Sequence, residues 1–270
     1  MNVIIINSRH IVPPHIFHAL SQGIRVLDIS CGPGLWDGKP VIDMTHDFKN
    51  STFEAIDLRY LVTEDIGVGS RGSHSDSEVA QEYDQSNFRF HLHNMLKKEK
   101  LPFENDTFDY LQQSLTTITY STQDWGRVIP ELIRVVRPGG TIQLLEIDMI
   151  PHGMGPNGKI FVNEVMDIWK DTHSIDPRIA SKLGNILTEA GLERVTTKFV
   201  SVPIGEWGLD IGVLWQQNFF TFLESAMPFL MSITNYSEAE YRAKKKLMKE
   251  EFKHYKSFMN IYVIWGYAPN

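Results

Sequence analysis

Over the first 150 residues, short apolar runs alternate with apolar stripes of helical period. Arg25 to Ile29 is a strand-length run with Asp28 embedded in it. It breaks at once into Ser30, Cys31, Gly32, Pro33 and Gly34, which predicts a buried strand ending in a tight turn of small residues. Phe53 to Leu58, Phe88 to Leu92, Phe108 to Gln112 and Thr141 to Ile147 read as four further strands, and Asn2 to Asn7 as a strand at the start. Helical signals lie between them. Pro13 and Pro14 suit the entrance of a helix over His15 to Leu20, and Lys39 to Phe48 places Val41, Ile42, Met44 and Phe48 near helical spacing. Trp125, Val128, Ile129, Leu132, Ile133 and Val136 form one stripe. Asp124 stands as its cap, Pro130 should kink the helix or delay its start, and Pro138, Gly139 and Gly140 should end it. This alternation predicts a mostly parallel sheet covered on both faces.

After Asp148 the pattern changes. Met149 to Gly158 reads as irregular, Phe161 to Thr172 and Pro177 to Ala190 as helices, and Val195 to Val202 as a strand. Leu209 to Met231 is a long apolar helix, Ser237 to His254 a charged one, and Asn260 to Trp265 a final strand. The stretch Thr63 to Gln85 is rich in Gly, Ser, Asp and Glu and reads as a long surface loop, with a helical turn at Glu78 to Tyr83.

Composition narrows the function classes. The chain has 270 residues, 42% hydrophobic and 22% charged, enough to bury a core without disulfides or metals. A net charge of -7 argues against a nucleic-acid partner, and the Lys244, Lys245, Lys246 run is balanced by Glu250 and Glu251 as a solvated helix face. Cys31 is the sole cysteine, which excludes an internal disulfide and a multi-cysteine metal site; beside the glycines it reads either as a small packed side chain or as a redox-sensitive thiol. His91 and His93 share a strand face without a coordinating partner at the right spacing, so no metal site is expected. No secretory leader pattern and no apolar run of about 20 residues is present, and a cytoplasmic setting without a membrane span is expected.

The glycine turn lacks the lysine and hydroxyl residue of a phosphate loop, since Leu35 and Trp36 stand after Gly34. It also lacks the later small residue of a dinucleotide fingerprint, so a ligand without phosphates fits better. Asp57 closes the second strand 23 residues after Gly34, near the spacing that places an acid on a ribose diol; the alternative is a solvent-facing strand-end acid.

With VLDISCGPGLW, EAIDL, the Asn94-Met95 pair, LPFENDTFDYLQQS and RPGG followed by TIQLLEIDM in this order, the chain resembles the class I S-adenosylmethionine-dependent methyltransferases, and within them the fungal proteins of the secondary-metabolism regulator type. The resemblance implies a Rossmann-like α/β fold: a mostly parallel seven-stranded sheet with an antiparallel last strand lying between the fifth and sixth, and helices on both faces. It implies one domain over 1–270, with a cofactor core over about 20–150, an acceptor-side helical elaboration over about 151–258 and a final strand over about 259–267. The implied cofactor is S-adenosyl-L-methionine. Asp28, Ser30, Cys31, Gly32 and Gly34 would line its methionine side, with Trp36 at the end of the motif, while Asp57 would hold the ribose hydroxyls, Leu58 and the Asn94-Met95 pair the adenine, and Gln112, Gln113 and Ser114 the boundary with the acceptor.

The implied activity is methyl transfer to an O, N or C atom of a small molecule; the alternative is a cofactor-binding regulatory protein with weak or no transfer, for which a protein partner and a nuclear setting are open. Glu146 and Asp148 leave the fifth strand two residues apart and share a face, and His152 follows, so these three are the candidate bases or acceptor-orienting groups; each also reads as an ordinary strand-end residue. Tyr120 and Trp125 could approach the crevice, although Trp125 lies on the helix stripe. Phe219, Phe220, Phe222, Met227, Phe229 and Met231 would cover an acceptor or pack the core. Ser30 departs from the family pattern, which usually has glycine there. The turn must tolerate a side chain or use the hydroxyl near the cofactor.

Overall fold

The computed structural model describes residues 12–32, 35–36, 39–59, 87–97 and 100–270, with the backbone alone at 35–36 and 39–43. The expected strand at Asn2 to Asn7 and the loop from Thr63 to Gln85 lie outside these residues, as does Gly34.

Seven strands build the main sheet: β1 (Arg25–Ile29), β2 (Thr52–Asp57), β3 (Phe88–Leu92), β4 (Phe108–Ser114), β5 (Val136–Ile147), β6 (Glu193–Pro203) and β7 (Phe258–Tyr267). Their spatial order is β3-β2-β1-β4-β5-β7-β6. The first five pair in parallel, and β7 runs antiparallel to both β5 and β6. This is the expected class I arrangement, with the last strand inserted between the fifth and sixth. The order reverses between β1 and β4, and a parallel sheet opens its ligand crevice at the strand ends beside such a reversal.

The strand alternation assigns the two faces. Val26 and Tyr110 point to a cluster with α1 (Pro14–Gln22) and α2 (Val41–Asp47), whereas Leu27, Ile29 and Leu111 point to α3 (Thr122–Val135). The apolar stripe of α3 is buried against the sheet as expected, and Trp125 is core at 2% exposure. Its start is set by Ser121, not by Asp124. The Ser121 hydroxyl accepts from the Asp124 backbone N–H at 3.1 Å, while the Asp124 carboxylate accepts from the Ser121 backbone N–H at 3.0 Å. This reciprocal cap lies ahead of Pro130, so the helix begins earlier than the proline suggested and runs through it.

Three other expectations are corrected. Lys39–Pro40 pairs with Leu35–Trp36 as a short antiparallel ribbon, so α2 begins only at Val41. Pro138, Gly139 and Gly140 do not end an element: β5 already starts at Val136, and the register shifts between Phe108–Val136 and Tyr110–Thr141 to absorb them as a bulge. Gly139 has φ +70° and a Cβ on Gly140 would stand 2.6 Å from Val136 Cγ1, so the bulge requires both glycines. Pro177 to Ala190 divides into a 3-10 turn, Ile179–Ser181, and α5 (Leu183–Glu189).

Three longer helices, α4 (Pro156–His173), α6 (Leu209–Ile233) and α7 (Glu238–Tyr255), pack together around Phe161, Phe219, Tyr241, Met248 and Phe252. This cluster meets the sheet through Met149, Ile204 and Met259, beyond the C-terminal end of β5. The aromatic residues of α6 are therefore packing groups: Phe219 is buried, and Phe220, Phe222 and Phe229 are half-buried against the same cluster. On α7, Lys244 and Lys245 are half-buried and reach across to Glu164 of α4 and Glu224 of α6, so these two lysines tie the helices together and do not form the solvated face expected with Glu250 and Glu251. Among the described residues no helix is long and apolar enough to cross a membrane.

Candidate functional site

The crevice begins where β1 ends. Ser30 leaves the strand with φ +56°, and Gly32 repeats the left-handed conformation at φ +57°. A Cβ built on Gly32 would meet nothing within 4 Å among the described residues. From the end of β2, Asp57 reaches across to it. One carboxylate oxygen, Oδ2, accepts from the Gly32 N–H at 2.9 Å, and the other, Oδ1, accepts from the Arg59 N–H at 3.1 Å. A carboxylate offers roughly four acceptor positions, so these two bonds leave room for a pair of hydroxyls. Asp57 is thus not merely a solvent-facing strand end: it holds the glycine turn and keeps acceptor capacity in reserve.

Asp28 is buried within β1 at 3% exposure, and Cys31 is buried beside Ile16, Val26 and Met44. Burial first, and then the nearby Asp28 and Asp57 charges, push the Cys31 thiol up in pKa. It stays protonated, which removes the thiolate that redox sensing needs. Leu58 is 52% exposed at the crevice rim. Asn94 folds its side chain back, Oδ1 accepting from the Leu96 N–H at 2.9 Å, and Met95 leans on the main core cluster.

The fourth-strand residues divide between faces. Gln112 lies with Tyr110, whose hydroxyl donates to Gln112 Oε1 at 3.2 Å, and its amide donates to Ser114 Oγ at 3.3 Å. Gln113 points to the opposite face, its amide donating to Thr116 Oγ1 at 2.9 Å. Gln112 and Gln113 therefore cannot approach a bound molecule side by side. Gln113 Oε1 is a buried acceptor with no partner among the described residues.

The candidate bases are also separated. Glu146 is fully buried; it accepts from the Thr116 N–H and hydroxyl at 3.0 and 2.6 Å and from the Thr117 N–H and hydroxyl at 2.8 and 2.7 Å. Burial pushes this carboxyl up in pKa and the four donors oppose it. These four bonds make Glu146 an anchor for the loop after β4. Asp148 is 2% exposed and takes a bond from Arg178 Nη1 at 2.6 Å. His152 Nε2 lies 3.2 Å from Asp148 Oδ2 and 3.2 Å from Asn260 Nδ2, and its ring stacks on Phe258. This chain opens through Arg178 onto a groove of about 610 Å3 bordered by Ile150, Lys170 and Lys182. β5 ends at Ile147, so Asp148 lies just beyond the strand that carries Glu146, and the two acids belong to different networks.

Sequence reasoning did not find Thr116, Thr117, Arg178 or Asn260, because their roles depend on contacts across 29 to 108 residues of chain. A hydroxyl pair placed right after a strand is the one local signal for the first two. His91 pairs with Glu54, Nε2 to Oε2 at 2.8 Å, and among the described residues no three His, Cys, Asp or Glu groups are placed to hold a metal ion.

Comparison with known proteins gives the same fold. The structure of phosphoethanolamine N-methyltransferase 2 from Haemonchus contortus in complex with S-adenosyl-L-methionine superposes with a TM-score of 0.51 at 14% identity, covering 92% of this chain and 49% of that one. The [4+2]-cyclase SpnF superposes with a TM-score of 0.50 at 15% identity, covering 94% and 81%. In sequence, the demethylmenaquinone methyltransferase of Lysinibacillus sphaericus is 34% identical over 119 residues, 38% of this chain and 49% of the relative. That of Bacillus cereus is 32% identical over 117 residues, 37% and 47%. The match thus spans about half the length of these curated relatives. The pattern of the ubiE/COQ5 methyltransferase family covers residues 14–166, from α1 through the sheet crevice into α4, and with more than half of its length so matched the chain belongs to the ubiE/COQ5 methyltransferase family.

Proposed function

We propose that the protein binds S-adenosyl-L-methionine in the crevice between β1 and β2 and transfers its methyl group to an O, N or C atom of a small-molecule acceptor, with residues 1–270 acting as one unit. The observation that carries this reading is the Asp57–Gly32 bond beside the strand-order reversal: an acid that, among the described residues, fills two of its roughly four acceptor positions and is bound to a glycine turn. The cofactor supplies an activated methyl on a sulfonium centre. Asp57 accepts from the ribose hydroxyls; the backbone at Ser30 to Gly32 lies along the methionine; Leu58, Asn94 and Met95 border the adenine. The protein's main contribution is alignment and exclusion of water, and a base is needed only where the acceptor must lose a proton. Asp148 with His152 is the pair left to serve there, since Glu146 is sealed.

The sequence relatives are demethylmenaquinone methyltransferases. A reduced quinone ring is therefore the first acceptor class to assay. The test pairs titration calorimetry with S-adenosylhomocysteine and transfer of labelled methyl from S-adenosylmethionine to phenols, quinols and amines. Saturable binding with labelled product is expected; absence of both overturns the proposal.

A second reading, the cofactor-binding regulator of the fungal secondary-metabolism type with a protein partner, draws support from the sealed state of Glu146 and from SpnF, a cyclase with this fold. Binding of S-adenosylhomocysteine without labelled product across the panel would favour it.

A further inference from the structure

The turn carries a side chain where its conformation favours none. Ser30 sits at φ +56°, which costs energy for a residue with a Cβ and persists only where surrounding contacts enforce it. One such contact is visible: Ser30 Oγ lies 3.1 Å from the hydroxyl of Tyr120. Tyr120 is 1% exposed, sits edge-on to Trp125 at 5.2 Å, and donates its backbone N–H to Thr116 O at 3.2 Å. Thr116 is itself clasped by Glu146. A rigid path therefore runs from β5 through the loop after β4 to the first residue of the cofactor turn. Resting on the cofactor reading above, we propose that Tyr120 is a positioning residue: through the Ser30 hydroxyl it holds the turn in the left-handed conformation from which Gly32 reaches Asp57, and so sets the shape of the cofactor cradle.

Burial pushes the Tyr120 hydroxyl up in pKa, so it serves as a neutral hydrogen-bonding group and not as a proton acceptor for the reaction. Ser30 makes the turn dependent on Tyr120. Glycine at the same place would adopt the conformation without help.

The experiment is a double-mutant cycle read by calorimetric titration of S-adenosylhomocysteine into the full chain: wild type, Tyr120→Phe, Ser30→Gly and the double variant. Tyr120→Phe should weaken binding about fivefold when Ser30 is present, the worth of one ordinary hydrogen bond, and should cause no further loss in the Ser30→Gly background. An equal loss in both backgrounds, or no loss in either, overturns the inference while leaving the cofactor reading intact. Ser30→Ala is the second variant, should Tyr120→Phe fold poorly. It keeps the Cβ and removes the hydroxyl, so it should bind more weakly than Ser30→Gly; equal or tighter binding by Ser30→Ala overturns the inference. No binding by the wild type overturns the cofactor reading and this inference with it.

Discussion

Asp57 and Glu146 are both acids near the C-terminal ends of parallel strands, and the structure uses them in opposite ways. At the β1–β2 edge, Asp57 spends two acceptor positions on backbone N–H groups, the bonds it makes among the described residues. At the β4–β5 edge, Glu146 is wholly enclosed and fills all of its acceptor positions with Thr116 and Thr117. A strand-end acid is therefore not a functional group by position alone. Its unfilled hydrogen-bonding capacity and access to the crevice separate a ligand-binding acid from a structural one.

The sharpest way to break this contrast is Glu146→Ala. Removing the carboxylate leaves two backbone N–H groups and the Thr116 hydroxyl without their acceptor in a buried site, while the Thr117 hydroxyl can turn to Ile147 O at 3.1 Å, and a loss of about 3 kcal/mol in unfolding free energy is expected from denaturant titration. A variant that unfolds like the wild type but loses turnover alone would instead restore Glu146 as a base. Asp57→Ala should do the reverse. Cofactor-product affinity should fall by roughly 1 to 3 kcal/mol in calorimetry, with a smaller change in stability, because water can reach the groups it leaves behind.

Arg178→Met tests the third acid on the same edge. Asp148 would lose its closest charged partner while remaining buried, and about 1 to 2 kcal/mol of stability should go with it, discounted because the Arg178 side chain is 40% exposed. If stability holds and only acceptor turnover falls, the Asp148–Arg178 pair belongs to the acceptor site. The smallest effect concerns pH. The His91 hydrogen bond chiefly holds the Glu54 carboxyl below its ordinary value of 4.5. The stabilisation is present above that unfolded value and is lost as pH falls through the lower folded one. In acid titrations below about pH 4.5, His91→Ala should flatten the decline by a few tenths of a kcal/mol; an unchanged slope would remove the pair from the account.

The sheet was legible where physics is local. β3 occupies the predicted residues, and β1 does as well, because an apolar run bounded by small or polar residues has few alternatives to a buried strand. The start of α3 was read late, at Asp124, because an acid at the cap and an acid at the third helical position look alike in sequence, and only the reciprocal Ser121–Asp124 bonds decide between them. The bulge at Gly139 and Gly140 read as a stop because the same residues serve either purpose, and only the partner strand decides. For the site, the Gly32–Asp57 relation could be anticipated from spacing within one strand-helix-strand unit. The clasp on Glu146 could not, nor could the link between Ser30 and Tyr120, 90 residues apart. Such pairings exist only after strands distant in sequence become neighbours.

The place of β7 has a consequence for synthesis of the chain. Phe258–Tyr267 lies between β5 and β6, both of which emerge from the ribosome earlier. Until the chain through Tyr267 is free, β5 has an unpaired edge and, among the described residues, β6 has no partner in the sheet. A chain lacking Phe258–Tyr267 would leave both edges open, a template for edge-to-edge aggregation.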